Sequence, residues 1–557
     1  MAERPLFATI LILGWASATT LVPVFAAAQH QRLTLLHTSD LHGSVLPWDD
    51  FQNQPADGSL AQVATLVRHV RDEVDHPILV LDSGDTIQGT PFEQFPHVRW
   101  SEASPTIAAM NLIGYDAMAL GNHEFNFGLE ILRRAENQAD FPFLSANTVD
   151  ESTSVPAFPT HMVIEAGEVR VGVVGLVTPN IPGWERPEHY RGLVFRPMDE
   201  VAREQVRILR DNEGCDLVVV LAHSGFEKSL DDEASSGTEH EDYGWRLSLI
   251  SGVDVLLTGH THKNIPPRDL NGVIVSQPGA RARFLTRIDL ELERDADGWR
   301  ISSWEGRNIT MNGVTPDPAM QDSTADLHDR VTKTLDGPVG RVGDPVSVAG
   351  CRLHDCAALD LIHQVQLEAS GADLSLASLL TDRTPDLPAG PVTWRWIYAF
   401  YVYPNTLVKV AVTGGEIKDI LEHATRYYSG LDCDPIEGCT LLTDPTIPHY
   451  NVDTMAGISY RVDPTQPVGH RVRDLRIRGR AIDTNQKFTL VCNNYRAAGG
   501  GGYPHLADAD PVWQSSEEMT DLIGDFIERS GFWQPEFDNN WWIGPALTAE
   551  RTTAVTP

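Results

Sequence analysis

Two histidines set two residues apart, His260 and His262, close the stretch VDVLLTGHTH at residues 253–262. Val253, Val255, Leu256 and Leu257 read as a buried strand that breaks at Gly259. Residues two apart on an extended segment point the same way, so the imidazole pair can converge on one small object. Similar side chains follow three other apolar runs: Asp40-Leu41-His42 after LTLLHTS, Gly84-Asp85 after ILVLDS, and Gly121-Asn122-His123-Glu124 after AMAL. A fifth run, VVVLAHSG, ends at His223. Carboxylate, amide and imidazole groups at five strand ends form the pattern of a two-metal site. Hydrolysis of a phosphate ester needs a nucleophile near neutral pH and relief of the charge on the phosphorus oxygens. Two cations ~3.5–4 Å apart supply both, by acidifying a bound water and clamping the phosphate.

Holding two cations that close requires a bridging anion. Asp85, the isolated carboxylate at a tight glycine turn, is the expected bridge. Asp40, His42 and His262 are assigned to the first metal, and Asn122, His223 and His260 to the second. This mixed donor set suits manganese, zinc, iron or cobalt better than an all-oxygen calcium site. His123, next to Asn122, is expected to face the opposite way and to act on substrate. Its assigned role is transition-state stabilisation and protonation of the leaving oxygen.

The elements that must position these groups are readable from periodicity. Between residues 31 and 305, the runs LTLLHTS, PILVLDSG, AMALGN, VRVGVVGLV, DLVVVLAH, VDVLLTGH and GVIVSQPG look like buried strands. They alternate with amphipathic stretches such as residues 60–74, which marks a layered α/β domain over residues 29–312. The acidic stretch 231–243 reads as a loop with His240 solvated. Residues 317–335 can form a connecting helix with Met320, Leu327, Val331 and Leu335 on one side, ended by Pro338 and Gly340. A linker is placed at 313–343 and a second domain at 344–545. In that domain Thr413 and Glu416 form a capping box, followed by Ile417, Ile420, Leu421 and Ala424 at core-packing spacing. Residues 546–557 read as a mobile tail.

At 557 residues the chain exceeds one core. A net charge of -34 argues against binding nucleic-acid backbones, because phosphates are repelled. Arg4, an apolar run over residues 6–25 and Ala26-Ala27-Ala28 resemble a cleavable secretory signal, residues 1–28, giving an exported, periplasmic or secreted chain. No later apolar stretch is long enough to span a bilayer, so no membrane anchor is expected in the mature chain. Cys351 with Cys356 and Cys433 with Cys439 are close enough for local disulfides in an oxidising compartment. Cys215 and Cys492 read as buried thiols.

In this order, DLH, GD, GNHE, AH and GHTH resemble the calcineurin-like metallophosphoesterases, and the second domain resembles the C-terminal substrate domain of the 5'-nucleotidase family. The resemblance implies an α/β four-layer αββα metallophosphoesterase domain followed by an α+β 5'-nucleotidase-type domain. GDTIQGTP (84–91), GNHEFNFGL (121–129), YVYPNTLVKVAVTG (401–414) and NNYRAAGGGGYP (493–504) resemble the 2',3'-cyclic-nucleotide 2'-phosphodiesterase/3'-nucleotidase branch. Typical 5'-nucleotidases carry GNHEFD. The matching residue here, Asn126, can orient His123 but supplies no negative charge. They also carry Gly-Gly-Asp-Gly where this chain has four glycines at 499–502, and an Asn-Gly-Gly-Ile-Arg-like stretch that LASLLTDR lacks.

By the same resemblance Tyr403 and Tyr503 stack on a nucleobase, at ~1–3 kcal/mol per stacked base. Asn493, Asn494 and Arg496 end the strand FTLVC, where amide and guanidinium groups can contact sugar or phosphate. The glycines let backbone approach the ligand. The implied protein is an exported, two-metal hydrolase of 2',3'-cyclic and 3'-nucleotides, a monomer with no nucleic-acid duplex as partner. The alternatives are a 5'-nucleotidase or UDP-sugar hydrolase, a thiosulfohydrolase, and a non-catalytic nucleotide-binding surface protein.

Overall fold

The structure, a computed structural model, describes residues 29–544 except 237, 239, 296–297, 404, 435–437, 508 and 516, with the side chains of 432–440 also left out. The expected signal segment (1–28) and tail (546–557) lie outside the described residues. So do the side chains of Cys433 and Cys439, whose backbones sit opposite each other in an antiparallel pair.

Two six-stranded sheets make the first domain. In one, His30–Thr38, Ile78–Asp82, Ala117–Ala119 and Phe143–Leu144 run parallel, and the antiparallel strands Phe284–Asp295 and Gly298–Thr310 extend the other edge. In the second, Leu217–His223 lies parallel between Val169–Val177 and Val255–Thr258, and Val273–Pro278 continues the parallel run. Strands covered on both faces read as unbroken apolar runs, which is why these segments show no polar alternation.

The pleat assigns each face. Leu33, Leu35, Leu79, Leu81, Val171, Val173, Val219, Leu221, Val255 and Leu257 pack between the sheets. Leu36, Val80 and Met118 turn outward onto helices Leu60–Glu73, Pro105–Ile113 and Gly128–Gln138. Val218, Val220 and Leu256 turn outward onto helix Met198–Arg207. The result is the four-layer order helix, sheet, sheet, helix.

The connecting helix spans Pro318–Leu335, with Asp317 capping it through Met320 N and a proline in its first turn. Met320, Val331 and Leu335 bury into the first domain's core, so this helix is a wall of that domain as well as a link. The second domain centres on a five-stranded sheet of Asp453–Ala456, Leu374–Ser378, Lys487–Asn493, Leu407–Thr413 and Pro511–Gln514. The capping box of Thr413 and Glu416 forms at helix Gly414–Ala424. A disulfide joins Cys351 and Cys356, and Cys215 and Cys492 are buried thiols. No helix among the described residues is long and apolar enough to cross a membrane.

One buried histidine makes the fold acid-sensitive without any metal. His363, held between the hydroxyls of Ser375 and Thr454, is lowered by burial from the ordinary 6.5 to about 3. The unfolded chain binds this proton first, so the contribution is complete above pH 6.5 and is lost as pH falls toward 3. His363→Gln should flatten the dependence of Tm on pH in that window, and an unchanged slope would exclude this residue as the cause.

Candidate metal centre

Five strand ends bring the seven ligand-type side chains to one edge of the sandwich. Asp40, His42, Asp85 and His262 place one donor atom each within 4.8 Å of one another, and so do Asp85, His223 and His260. Asn122 joins the second group, its Oδ1 lying 3.1 Å from His223 Nε2 and 3.0 Å from His260 Nδ1. Asp85 is the member common to both groups.

Geometry corrects the extended-strand argument for His260 and His262. Both have positive φ, 73° and 56°, so the alternation of a strand does not apply and the two rings part. His260 turns to Asn122 and His223, while His262 Nε2 lies 3.0 Å from His42 Nε2. Asp40 (53°), His42 (47°) and Asp85 (61°) are also left-handed. Such conformations cost on the order of 1–3 kcal/mol each and persist only where the surroundings hold them. Here Asp40 N donates to Gly84 O at 2.8 Å, His42 N to Asp85 O at 2.9 Å, and Arg281 N to Asp40 O at 2.7 Å. Gly84 and Gly121 let the two turns touch, since a Cβ on either would collide with the other turn.

The donor set fits cations. His42 Nδ1 faces Gln88 O at 3.1 Å and His223 Nδ1 faces Ser83 O at 2.7 Å. Carbonyl oxygens only accept, so both rings carry Nδ1–H and turn the Nε2 lone pair inward. His223 Nε2 then meets Asp85 Oδ2 at 3.0 Å and Asn122 Oδ1 at 3.1 Å, three electron-pair donors with no hydrogen among them. A cation, or a proton on His223 Nε2, satisfies that cluster. Burial alone would lower His223, but the Asp85 carboxylate raises it to about 10. Against its own burial, Asp85 is held well below the usual carboxylate range by His223 and its neighbours. Burial lowers His260 to about 3 and His262 to about 4, leaving both imidazoles neutral and able to ligate.

His123 sits beside the cluster with its Nε2 3.9 Å from Asp85 Oδ2 and its Nδ1 2.6 Å from Asn126 Oδ1. Its backbone N donates to Asp85 Oδ1 at 2.8 Å. Glu124, present in the GNHE motif but given no role from sequence, is fully buried and accepts from Gly121 N, Asp85 N and Thr86 N. It ties the two ligand-bearing turns together.

In the second domain the structure separates the expected substrate residues. Tyr403 is 44% exposed, whereas Tyr503 is 3% exposed. The Tyr503 hydroxyl donates to Asn451 O and accepts from Asp453 N, and its ring lies against His423 and under the Arg496 guanidinium. It has no free face for a base. Arg496 is likewise internal. Its five N–H groups go to Asp453 (both oxygens), Asn451, Gly500 O and Tyr450 O, leaving none for sugar or phosphate. Asn493 caps the short helix Asn494–Ala497. Asn494 accepts from Asn405 Nδ2 and Thr406 N and donates to Trp184 O of the first domain. All four are engaged in hydrogen bonds within the protein.

Sequence reasoning passed over Tyr495. It is half-buried, and burial, with a smaller contribution from Glu241 of the first domain, raises its phenol above the ordinary range. A Cβ on Gly500 would collide with its ring, so part of the glycine run serves to seat Tyr495. The signal was its place directly after Asn493-Asn494, at a strand end.

Asp85→Asn should remove most bound metal as well as activity, exceeding the ~10–100-fold loss typical of outer-shell partners. His123→Ala should retain metal while turnover falls ~10²–10⁴-fold. Metal analysis alongside turnover decides both; a metal-replete, active Asp85→Asn would refute the bridge.

Residues 33–264 match the family model for calcineurin-like phosphoesterases, and residues 332–508 match that for the 5'-nucleotidase C-terminal domain. The 2',3'-cyclic-nucleotide 2'-phosphodiesterase/3'-nucleotidase of Salmonella typhimurium is 28% identical, over 95% of this chain and 92% of that protein. The trifunctional nucleotide phosphoesterase YfkN of Bacillus subtilis is 28% identical over 100% of this chain, which spans 42% of that longer protein. A solved Staphylococcus aureus structure, described as a 5'-nucleotidase and holding alpha-ketoglutarate, superposes with a TM-score of 0.80 at 27% identity, covering 92% of this chain and 100% of that one. The chain thus belongs to the 5'-nucleotidase family of calcineurin-like metallophosphoesterases and is a phosphoric ester hydrolase.

Proposed function

We propose that the protein hydrolyses nucleoside phosphates, with 2',3'-cyclic nucleotides and 3'-monophosphates preferred over 5'-monophosphates. The observation that carries this reading is Asp85, shared by two groups of ligand-type side chains beside a second domain that presents exposed tyrosine. Two divalent cations of manganese, zinc, iron or cobalt type, when bound by Asp40, His42, Asp85, Asn122, His223, His260 and His262, acidify water and neutralise phosphate charge. His123, held by Asn126, gives its Nε2 proton to the ester oxygen as the P–O bond breaks and that oxygen takes the bonding pair. Tyr403 and Tyr495 offer the rings for the base, replacing the expected pair of Tyr403 and Tyr503. The domain limits proposed are 29–312, 313–343 and 344–545. Export, read from residues 1–28, accords with the Cys351–Cys356 disulfide.

The preference for cyclic and 3'-phosphates rests on the GNHEFN and NNYRAAGG stretches together with the Salmonella relative. A 5'-nucleotidase is the second reading, favoured by the description of the Staphylococcus aureus structure. The test is kcat/KM for a 2',3'-cyclic nucleotide, a 3'-monophosphate, a 5'-monophosphate and an aryl phosphate. Tyr403→Ala/Tyr495→Ala should cost ~1–3 kcal/mol per ring on the nucleotides and spare the aryl ester. Tyr503→Phe should lower Tm without altering the substrate order. A wild-type preference for the 5'-monophosphate would establish the second reading.

A further inference from the structure

Asn126 poses a directional problem that an aspartate would not. Both oxygens of a carboxylate accept, so an aspartate beside His123 Nδ1 works whichever way it turns. An amide has an accepting end and a donating end, and a half-turn about its last bond exchanges them. With the donating end toward Nδ1, the ring loses the acceptor that holds its Nδ1–H. Something must therefore fix the Asn126 amide.

The structure shows what does so. Asn126 Nδ2 donates to Glu185 Oε1, and Asn126 Oδ1 faces His123 Nδ1 at 2.6 Å. The other oxygen, Glu185 Oε2, takes a hydrogen bond from His189 Nδ1 at 2.8 Å. His189 Nε2 lies 2.8 Å from Arg186 Nη2, and a guanidinium only donates, so that nitrogen accepts and His189 carries its hydrogen on Nδ1. Two chains of hydrogen bonds, Arg186 to His189 and His123 to Asn126, thus run toward one carboxylate and end there. The Glu185 side chain is 8% exposed and that of His189 13%, so water cannot readily replace either link.

We propose that Glu185 is a positioning residue for catalysis: by accepting from Asn126 Nδ2 it locks the amide with its oxygen toward His123, and so holds His123 with Nδ1–H inward and Nε2 toward the substrate. The departure from the GNHEFD of typical 5'-nucleotidases at position 126 is in this way matched by a carboxylate contributed 59 residues downstream. The inference rests on the role of His123 as proton donor to the leaving oxygen.

The test exploits leaving-group chemistry. A nucleoside alkoxide must be protonated as it departs, whereas a nitrophenolate leaves unaided. Glu185→Gln keeps size but offers both a donor and an acceptor, so the Asn126 amide is free to turn. The preferred nucleotide should lose roughly tenfold in kcat, part of the ~10²–10⁴-fold available to a general acid. Its KM, the metal content and the turnover of a nitrophenyl phosphate should stay within about twofold, since none of these needs the proton. Asn126→Asp alone sets two carboxylates against each other and should lower turnover. Added to Glu185→Gln it should restore the nucleotide rate, because a carboxylate beside Nδ1 accepts in either orientation. Equal loss on both substrates, wild-type turnover in Glu185→Gln, or no recovery in the double variant would overturn the proposal. His123→Ala separates the two levels. If it too spares neither substrate class, the proton-donor role has failed; if it shows the leaving-group dependence and Glu185→Gln does not, only the role of Glu185 has.

Discussion

A single buried carboxylate, that of Asp85, organises the site. At 1% exposure an ionised group must be met on all sides by donors or cations, or burial would force it neutral. Its neighbours meet that demand. His223 faces one oxygen, and the His123 backbone N–H fixes the other. The same residue therefore sets where charge can accumulate and where the His123 backbone stands. Buried Glu124 supports the arrangement from behind by holding the Asp85 and Gly121 backbone N–H groups, so the two turns move as one piece.

The twin sheets make this possible because they do not yield. Their inner faces are chiefly apolar, with the few buried polar side chains, such as Ser276 and Thr286, hydrogen-bonded to each other, and their outer faces are packed under helices. Against that support, five ligand residues can be kept in left-handed backbone that a loose loop would relax. Each such turn reverses the chain in a very short span, which lets groups from separate strands meet across about one hydrogen-bond length.

How much of this was legible in the sequence follows from how local each feature is. Strands buried on both faces announce themselves as long apolar runs, and polar side chains directly after them stand out. The seven ligand positions and His123 could be picked for that reason. The direction of His260 and His262 could not, because it depends on φ values imposed by contacts with Asp40 and its neighbours. Tyr503 and Tyr495 look alike in a string of letters, both in a polar, glycine-rich stretch. Only packing shows that Tyr503 is closed off by His423, Arg496 and Asn451 while Tyr495 is only half-buried. Arg496 invites a phosphate reading until Asp453, 43 residues away, is seen to hold it. Glu185 lies in WERPEH, which carries no motif, and is found only by following hydrogen bonds outward from His123.

The segment holding Glu185 also belongs to the seam between the domains. The Trp184 ring lies 5.3 Å from that of His260, its carbonyl accepts from Asn494 of the second domain at 2.8 Å, and Arg186 reaches Ser515 O at 3.3 Å. The tidy division of labour, in which one half performs chemistry and the other chooses the substrate, does not describe this molecule. An excised first half would keep every cation-binding side chain yet lose the tethers on both sides of Glu185. Competence as a catalyst is a property of the whole chain, distributed across a boundary that the motifs respect and the hydrogen bonds ignore.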